Sequence, residues 1–229
     1  MKLRIQFCTF LFFFLYQFSY SQKTTYSWWN PESADFPVIE GQAWPGEVES
    51  FYDRLPKRAK EDVRKPVWGL SKHAAGLVIR FRSNATEIKV RYGVGGNFAM
   101  DHMPATGVSG LDLYAKDGDG QLHWLRGQRA FGDTVKYDFK NINLKEKYHD
   151  LGREYQLYFP LYNSVQWMEI GVEEGAVFEV SPLRREKPIV VYGTSIAQGA
   201  CATRPGMAWT SILGRNMDRP LVNLGFSGN

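Results

Sequence analysis

Cysteine is scarce in this chain of 229 residues: there are two, Cys8 and Cys201. Cys8 lies in an N-terminal segment expected to be removed, so the mature chain has no partner for an intramolecular disulfide, even in an oxidising compartment. Charge of one sign is scarce too. The formal net charge is +4, and residues 1–21 contain Lys2 and Arg4 but no acid, so their loss leaves +2. That balance argues against nucleic acid as a partner and against an anionic membrane surface. Long apolar runs are also missing. The longest, Ile5 to Phe18 (IQFCTFLFFFLYQF), is about 14 residues, short of the ~20 that cross a bilayer, so no membrane span is expected once it is cleaved. Histidine is limited to His73, His102, His123 and His149.

What is present begins with a leader. Lys2 and Arg4 make a basic start, the apolar run follows, and Ser19-Tyr20-Ser21 puts small residues at −3 and −1 before Gln22. This is the pattern of a secretory signal peptide over residues 1–21, with a mature secreted or periplasmic protein starting at Gln22. Cys8 sits inside the apolar run and not directly after the cleavage site, so a lipoprotein is not indicated.

From Gln22 to about Lys65 the chain is rich in Trp, Pro and charge, and reads as irregular wrapping with one short helix near Leu55 to Val63. Alternation then sets in. Leu77-Ile79-Phe81 and Ile88-Val90-Tyr92 flank Ser83-Asn84-Ala85, which reads as a β-hairpin with one buried face. Leu111–Lys116 and Leu122–Leu125 flank Asp117-Gly118-Asp119-Gly120, a plain tight turn rather than a calcium loop, since the third alternating ligand and terminal Glu are missing. Val135–Phe139, Glu154–Leu161, Val165–Val172 and Val177–Val180 complete the set. So many short strands predict an antiparallel β-sandwich, jelly-roll-like, over about Gly41 to Pro182, within a first domain of residues 22–185.

Around Pro188 the pattern changes. Pro188 to Gly193 (PIVVYG) is continuously apolar, as in a parallel strand buried on both faces. Met207 to Met217 has helical spacing at Met207, Ile212 and Leu213, and Leu221 to Leu224 is a second apolar strand. This β-α-β order opens a doubly wound α/β/α, flavodoxin-like domain over residues 186–229. Ligands bind beyond the carboxyl ends of such strands, and Gly193-Thr194-Ser195 lies at that end. Ser195 there can act as a nucleophile, and Gly228, without a β-carbon, can bring a second N–H to a developing oxyanion. A serine in a strand-to-helix loop is also commonly a cap or turn residue. Ala197 breaks G-x-S-x-G, which excludes the α/β-hydrolase elbow.

Three motifs carry a resemblance. Tyr192-Gly193-Thr194-Ser195-Ile196-Ala197-Gln198-Gly199 resembles the first sequence block of SGNH/GDSL hydrolases, with Thr194 in place of the usual Asp. Asn223-Leu224-Gly225-Phe226-Ser227-Gly228 resembles the second block, and Gly110-Leu111-Asp112-Leu113-Tyr114 matches the G-x-D-L-Y signature of an N-terminal domain attached to one branch of these enzymes. The resemblance implies a serine esterase or deacylase acting on a small-molecule or carbohydrate ester, with Ser195 as nucleophile, Gly228 as oxyanion donor and no cofactor or metal. The family's third block, with its oxyanion Asn, and its late Asp-x-x-His are not found. All four histidines precede Ser195, and Asn229 is misplaced for the Asn. The chain is therefore expected to be a truncated, split or partly recorded member, inactive as written and unsettled from Pro188 onward. His102, in Met100-Asp101-His102-Met103-Pro104, is the histidine expected to reach the cleft as a substrate-wall residue. The competing reading is a non-catalytic carbohydrate-binding sandwich, with Trp28, Trp29, Trp44 and Trp68 stacking on sugars, although such rings more often pack a wrap onto its core.

Overall fold

The computed structural model describes residues 24–142 and 152–229. The leader with Cys8, the cleavage position before Gln22, and His149 lie outside the described residues. Among the described residues no helix is long and apolar enough to cross a membrane.

Two antiparallel sheets form a sandwich. In chain order, the strands are β1 (Tyr26–Trp29), β2 (Ile39–Glu40), β3 (Val78–Ser83), β4 (Ile88–Val94), β5 (Asp112–Lys116), β6 (Leu122–Leu125), β7 (Gln128–Ala130), β8 (Val135–Phe139), β9 (Arg153–Tyr158), β10 (Val165–Glu173) and β11 (Phe178–Val180). One sheet runs β1-β10-β4-β8-β7; the other runs β11-β3-β9-β5-β6, with β2 beside β3. The alternating residues fill the space between them: Ile79, Phe81, Ile88, Val90, Tyr92, Leu113, Tyr155, Leu157, Met168 and Ile170 are all buried. At ~1.5–3 kcal/mol for each large side chain, this shared face is the main stabilising term. The fold class read from the sequence, a sandwich followed by the first β-α-β unit of an SGNH-type domain, is the observed one.

Three local expectations are corrected. The runs of β3 and β4 do not form a hairpin. β3 pairs with β2, β9 and β11, while β4 pairs with β8 and β10, so the link between them arches across the core. Its polar groups are satisfied by third parties: Ser83 Oγ donates to Val177 O at 2.7 Å, and Glu173 accepts the Thr86 and Glu87 N–H groups. An arch and a hairpin both leave one apolar face, and alternation does not distinguish them. The N-terminal wrap is less irregular than expected, because Tyr26–Trp29 and Ile39–Glu40 each join a sheet edge. The helix near Leu55–Val63 is a single 3₁₀ turn at Lys57–Lys60, and the α-helix comes later, as α1 (Lys65–Ser71), opened by Pro66. The hairpin from β5 to β6 does form, with Asp117 N–H donating to Gln121 O.

After a second short helix, α2 (Ala105–Val108), and the rest of the sandwich, the chain enters β12 (Ile189–Gly193), α3 (Ser195–Gln198), α4 (Trp209–Asn216) and β13 (Leu221–Gly225). β12 and β13 pair in parallel, in a register that sets Gly193 beside Gly225. β12 is half-buried on one face, at Ile189 and Val191, and open on the other, where Val190 and Tyr192 are 58% and 81% exposed. The helix also turns a different face inward. Ala208, Thr210 and Ser211 are buried, whereas Met207 is exposed and Ile212 and Leu213 lie between.

The segment from Pro188 onward is anchored to the sandwich, and the G-x-D-L-Y signature is one of the anchors. Leu111 and Leu113 point into the core. Asp112, 2% exposed, instead faces the segment before α4. Its carboxylate accepts from Gly206 N–H at 2.8 Å and from Trp124 Nε1 at 2.9 Å, and Arg204 Nε lies 3.2 Å away as an ion pair. Tyr114 carries the Arg215 guanidinium over its ring at 4.1 Å. Burial raises the Asp112 pKa to about 6, against the lowering pull of Gly206 N–H and Arg204. Asp112→Ala is expected to destabilise the protein by roughly 3 kcal/mol, because it strands a buried N–H and a cation. Urea unfolding at pH 7.5 checks this, and a change below 1 kcal/mol contradicts the anchoring role.

Candidate active site

The site lies where β12 and β13 end side by side. Thr194 follows β12 with φ −103° and ψ −141°, and Ser195 is the first residue of the single turn α3, partly exposed. No hydrogen bond is made by the Ser195 N–H or Oγ among the described residues. Its carbonyl is occupied by Tyr162 Oη at 3.1 Å and by the Gly199 and Ala200 N–H groups. β13 turns sharply after Gly225: Phe226 N–H donates to Gly193 O at 2.9 Å, and Asn229 N–H donates to Phe226 O at 3.0 Å. Gly228 occupies this turn with φ +72°, and an added β-carbon meets nothing within 4 Å. Its glycine is thus demanded by a left-handed backbone, not by a crowding neighbour. At Gly225 the demand is steric, since a β-carbon there stands 2.2 Å from Gln198 N.

Two buried side chains that the sequence pattern does not disclose hold this junction. Gln198 accepts from Ser227 N–H through Oε1 at 2.9 Å and donates through Nε2 to Leu161 O at 3.1 Å, with His73 Nδ1 also at 3.1 Å. Arg54, 1% exposed, donates to four backbone carbonyls: His73 and Leu70 on the sandwich side, and Asn223 at 3.0 Å and Gly225 at 2.8 Å on β13. The Phe226 ring lies 4.8 Å from its guanidinium. Burial pulls the Arg54 pKa down to about 9, which leaves it cationic at neutral pH. It caps the carboxyl end of α1 and the carboxyl end of β13 with one rigid fork.

Of the residues singled out from sequence, Ser195 and Gly228 stand at the ends of neighbouring strands. His102 is in an exposed turn closed by Met100 and Met103, and makes no hydrogen bond among the described residues. A cavity of about 410 Å³ near α3 is lined by Met100, His73, Tyr162 and Asn97, among others, but not by His102. The four N-terminal tryptophans are all engaged: Trp29 packs on Phe178, Arg91 covers Trp28, Arg58 covers Trp44, and Lys60 and Lys72 flank Trp68. Trp29 thus packs on the core, while Trp28, Trp44 and Trp68 are half-buried rings with a cation beside each. Among the described residues no cluster of His, Cys, Asp and Glu is arranged to hold a metal.

The architecture is a sandwich fused to a parallel strand–helix–strand unit, with a serine directly after the first of its strands. Residues 26–178 match the family described as the GxDLY N-terminus of SGNH-hydrolase-type esterases, and residues 186–229 match the GDSL-like lipase/acylhydrolase family. The chain belongs to this SGNH/GDSL esterase family. It is similar to a protein of Bacteroides ovatus ATCC 8483 described as a GDSL-like lipase, at 30% identity and a TM-score of 0.79, over 90% of this chain and 58% of that one. It also shares the fold of the salicylyl-acyltransferase SsfX3 of a tetracycline biosynthetic pathway, at 18% identity and a TM-score of 0.61, over 88% of this chain and 54% of the other. The chain thus spans just over half the length of either. None of the curated proteins matches it.

Proposed function

We infer that this chain carries the nucleophile half of an exported serine esterase, with Ser195 as nucleophile and the Ser195 and Gly228 N–H groups as oxyanion donors. The supporting observation is the register that sets Gly193 beside Gly225, so that both sequence blocks leave the same sheet end together. Two N–H groups without internal partners, next to an uncommitted serine hydroxyl, suit a tetrahedral acyl intermediate. The substrate is an acylated small molecule or carbohydrate, and residues 22–185 and 186–229 are the two functional units, exported after cleavage before Gln22.

Among the described residues no histidine is placed as the base. His73 is engaged with Gln198, His123 with Asp117 at 2.7 Å on the sandwich surface, and His102 is exposed. A serine hydroxyl without a base attacks esters poorly. Residues 22–229 are therefore expected to hydrolyse p-nitrophenyl acetate no faster than the same polypeptide with Ser195→Ala. A form carrying an Asp-x-x-His block is expected to turn over this ester and acetylated xylo-oligosaccharides; no turnover of any ester by that form sinks the reading. In the same form, Gly228→Val is expected to lower kcat roughly 10²-fold or more, because a β-branched residue does not hold φ near +72° and the donor moves away. An unchanged kcat removes Gly228 from the site.

A further inference from the structure

The His73 imidazole lies beside α3, held by Gln198, and takes no part in the proposed ester chemistry. Its protonation is fixed by its neighbour. Because Ser227 N–H donates to Gln198 Oε1, the other end of that amide is NH₂, and it donates to Leu161 O and His73 Nδ1. Nδ1 is thus an acceptor, and the proton sits on Nε2. Burial, and next the Arg54 cation, lower the His73 pKa to about 4, in keeping with a ring that stays neutral. Nε2–H has no hydrogen-bond partner among the described residues, yet the ring lines the cavity of about 410 Å³. A protonated nitrogen accepts nothing, so His73 serves as a donor there and not as a base.

The rest of the wall indicates what the donor is for. Tyr162 forms one side, and its hydroxyl donates to Ser195 O, so one wall residue ties the cavity to the nucleophile's backbone, although no residue of the catalytic unit lines it. Met100 and Ala99 give apolar surface, and Gly95 to Asn97 give backbone. Asn163 pins that backbone by accepting from Gly96 N–H and donating to Gly96 O and Asn97 O, so the wall is preformed. Lys72, the only charged lining residue, is already paired with Asp53 at 2.6 Å and Glu49 at 2.8 Å. No uncommitted charge faces the space. A neutral wall with apolar patches, a fixed N–H donor and the free Ser164 hydroxyl suits an uncharged, hydroxyl-bearing ring of roughly monosaccharide size.

We propose that this cavity, built by the sandwich and not by the catalytic unit, is the subsite for the alcohol part of the ester, an uncharged sugar residue, with His73 Nε2–H donating to one of its hydroxyls. It rests on the esterase reading for its place in the reaction, but its occupancy can be measured without catalysis. The experiment uses residues 22–229 with Ser195→Ala, labelled with ¹⁵N, and titrates xylobiose, with glucuronic acid and glucosamine as charged comparators. The His73 ring nitrogens are expected to show the Nε2–H form with no protonation above about pH 5. Saturable shifts with xylobiose are expected at His73, Asn97 and Tyr162, with the charged sugars at least tenfold weaker. His73→Phe, which keeps a ring but loses the donor, is expected to weaken xylobiose binding by about tenfold or more, and His73→Gln, which keeps a donor, to recover part of it. Unaltered thermal unfolding of both variants identifies the loss as local. A protonated or Nδ1–H ring, no saturable shift with xylobiose, or full binding by His73→Phe overturns the subsite. Binding here without turnover in a form carrying the histidine block sinks the esterase reading alone. Ser195-dependent turnover with an unchanged KM in His73→Phe sinks the subsite alone.

Discussion

Ser195→Ala, made in a form that carries the Asp-x-x-His block, is expected to lower kcat/KM for ester hydrolysis by roughly 10⁴-fold or more. The hydroxyl makes no hydrogen bond among the described residues and stands at the end of β12, so its loss removes no packing and no internal bond. Stability is therefore expected to hold within about 0.5 kcal/mol. The pairing of outcomes is informative. A large activity loss with an unchanged unfolding midpoint marks a residue whose work is chemical. Retention of near wild-type turnover excludes Ser195 as nucleophile, and the unaltered backbone N–H groups leave only the ~10³-fold residual seen when triad members are missing.

Arg54→Met is expected to act in the opposite way, on stability first. Four buried carbonyls lose their donor at once, and methionine fills part of the volume but satisfies none of them. The expected cost is roughly 4 kcal/mol or more, measured by urea unfolding of residues 22–229. Arg54→Lys is expected to recover less than half, because a single ammonium does not reach α1 and β13 together as the planar fork does. Faster amide exchange is expected at Phe226 to Asn229, where the turn hangs from Gly225. A uniform loss of protection across the sandwich, with no excess at this turn, contradicts the positioning role.

The strands could be read from the sequence because burial on one face is a local pattern. Val135–Phe139 has the bounds that alternation gives, and Val165–Glu173 differs by one residue. Their partners could not be read, since which sheet β4 joins depends on β8 and β10 and not on its neighbour β3. Tyr26–Trp29 escaped notice because a four-residue edge strand rich in tryptophan has no alternation to show. Ser195 and Gly228 stood out as members of recognisable blocks. Arg54 did not, because in Phe51-Tyr52-Asp53-Arg54-Leu55-Pro56-Lys57-Arg58 it looks like one more solvated charge. Its burial is set by carbonyls 169 and 171 residues away. His73 was obscured for the same reason, since Gln198 is 125 residues downstream. Residues whose partners are distant leave no local signature.

The Arg54 fork also bears on the order of assembly. During synthesis the sandwich emerges first, and domains generally fold as they appear. A sandwich completed without β13 holds a cation whose other two bonds, to His73 and Leu70, are already made, and whose remaining fork faces empty space where β13 will lie. Water solvates that fork until Asn223 and Gly225 arrive, and docking exchanges the water for two carbonyls. The catalytic unit thus meets a waiting template, which rewards one docking of its second strand over slipped alternatives. A register shift by one residue presents N–H groups to the guanidinium where carbonyls are needed. The sandwich, on this account, is a built-in assembly guide, and exchanging it for an unrelated module removes the guide together with the wall of the pocket.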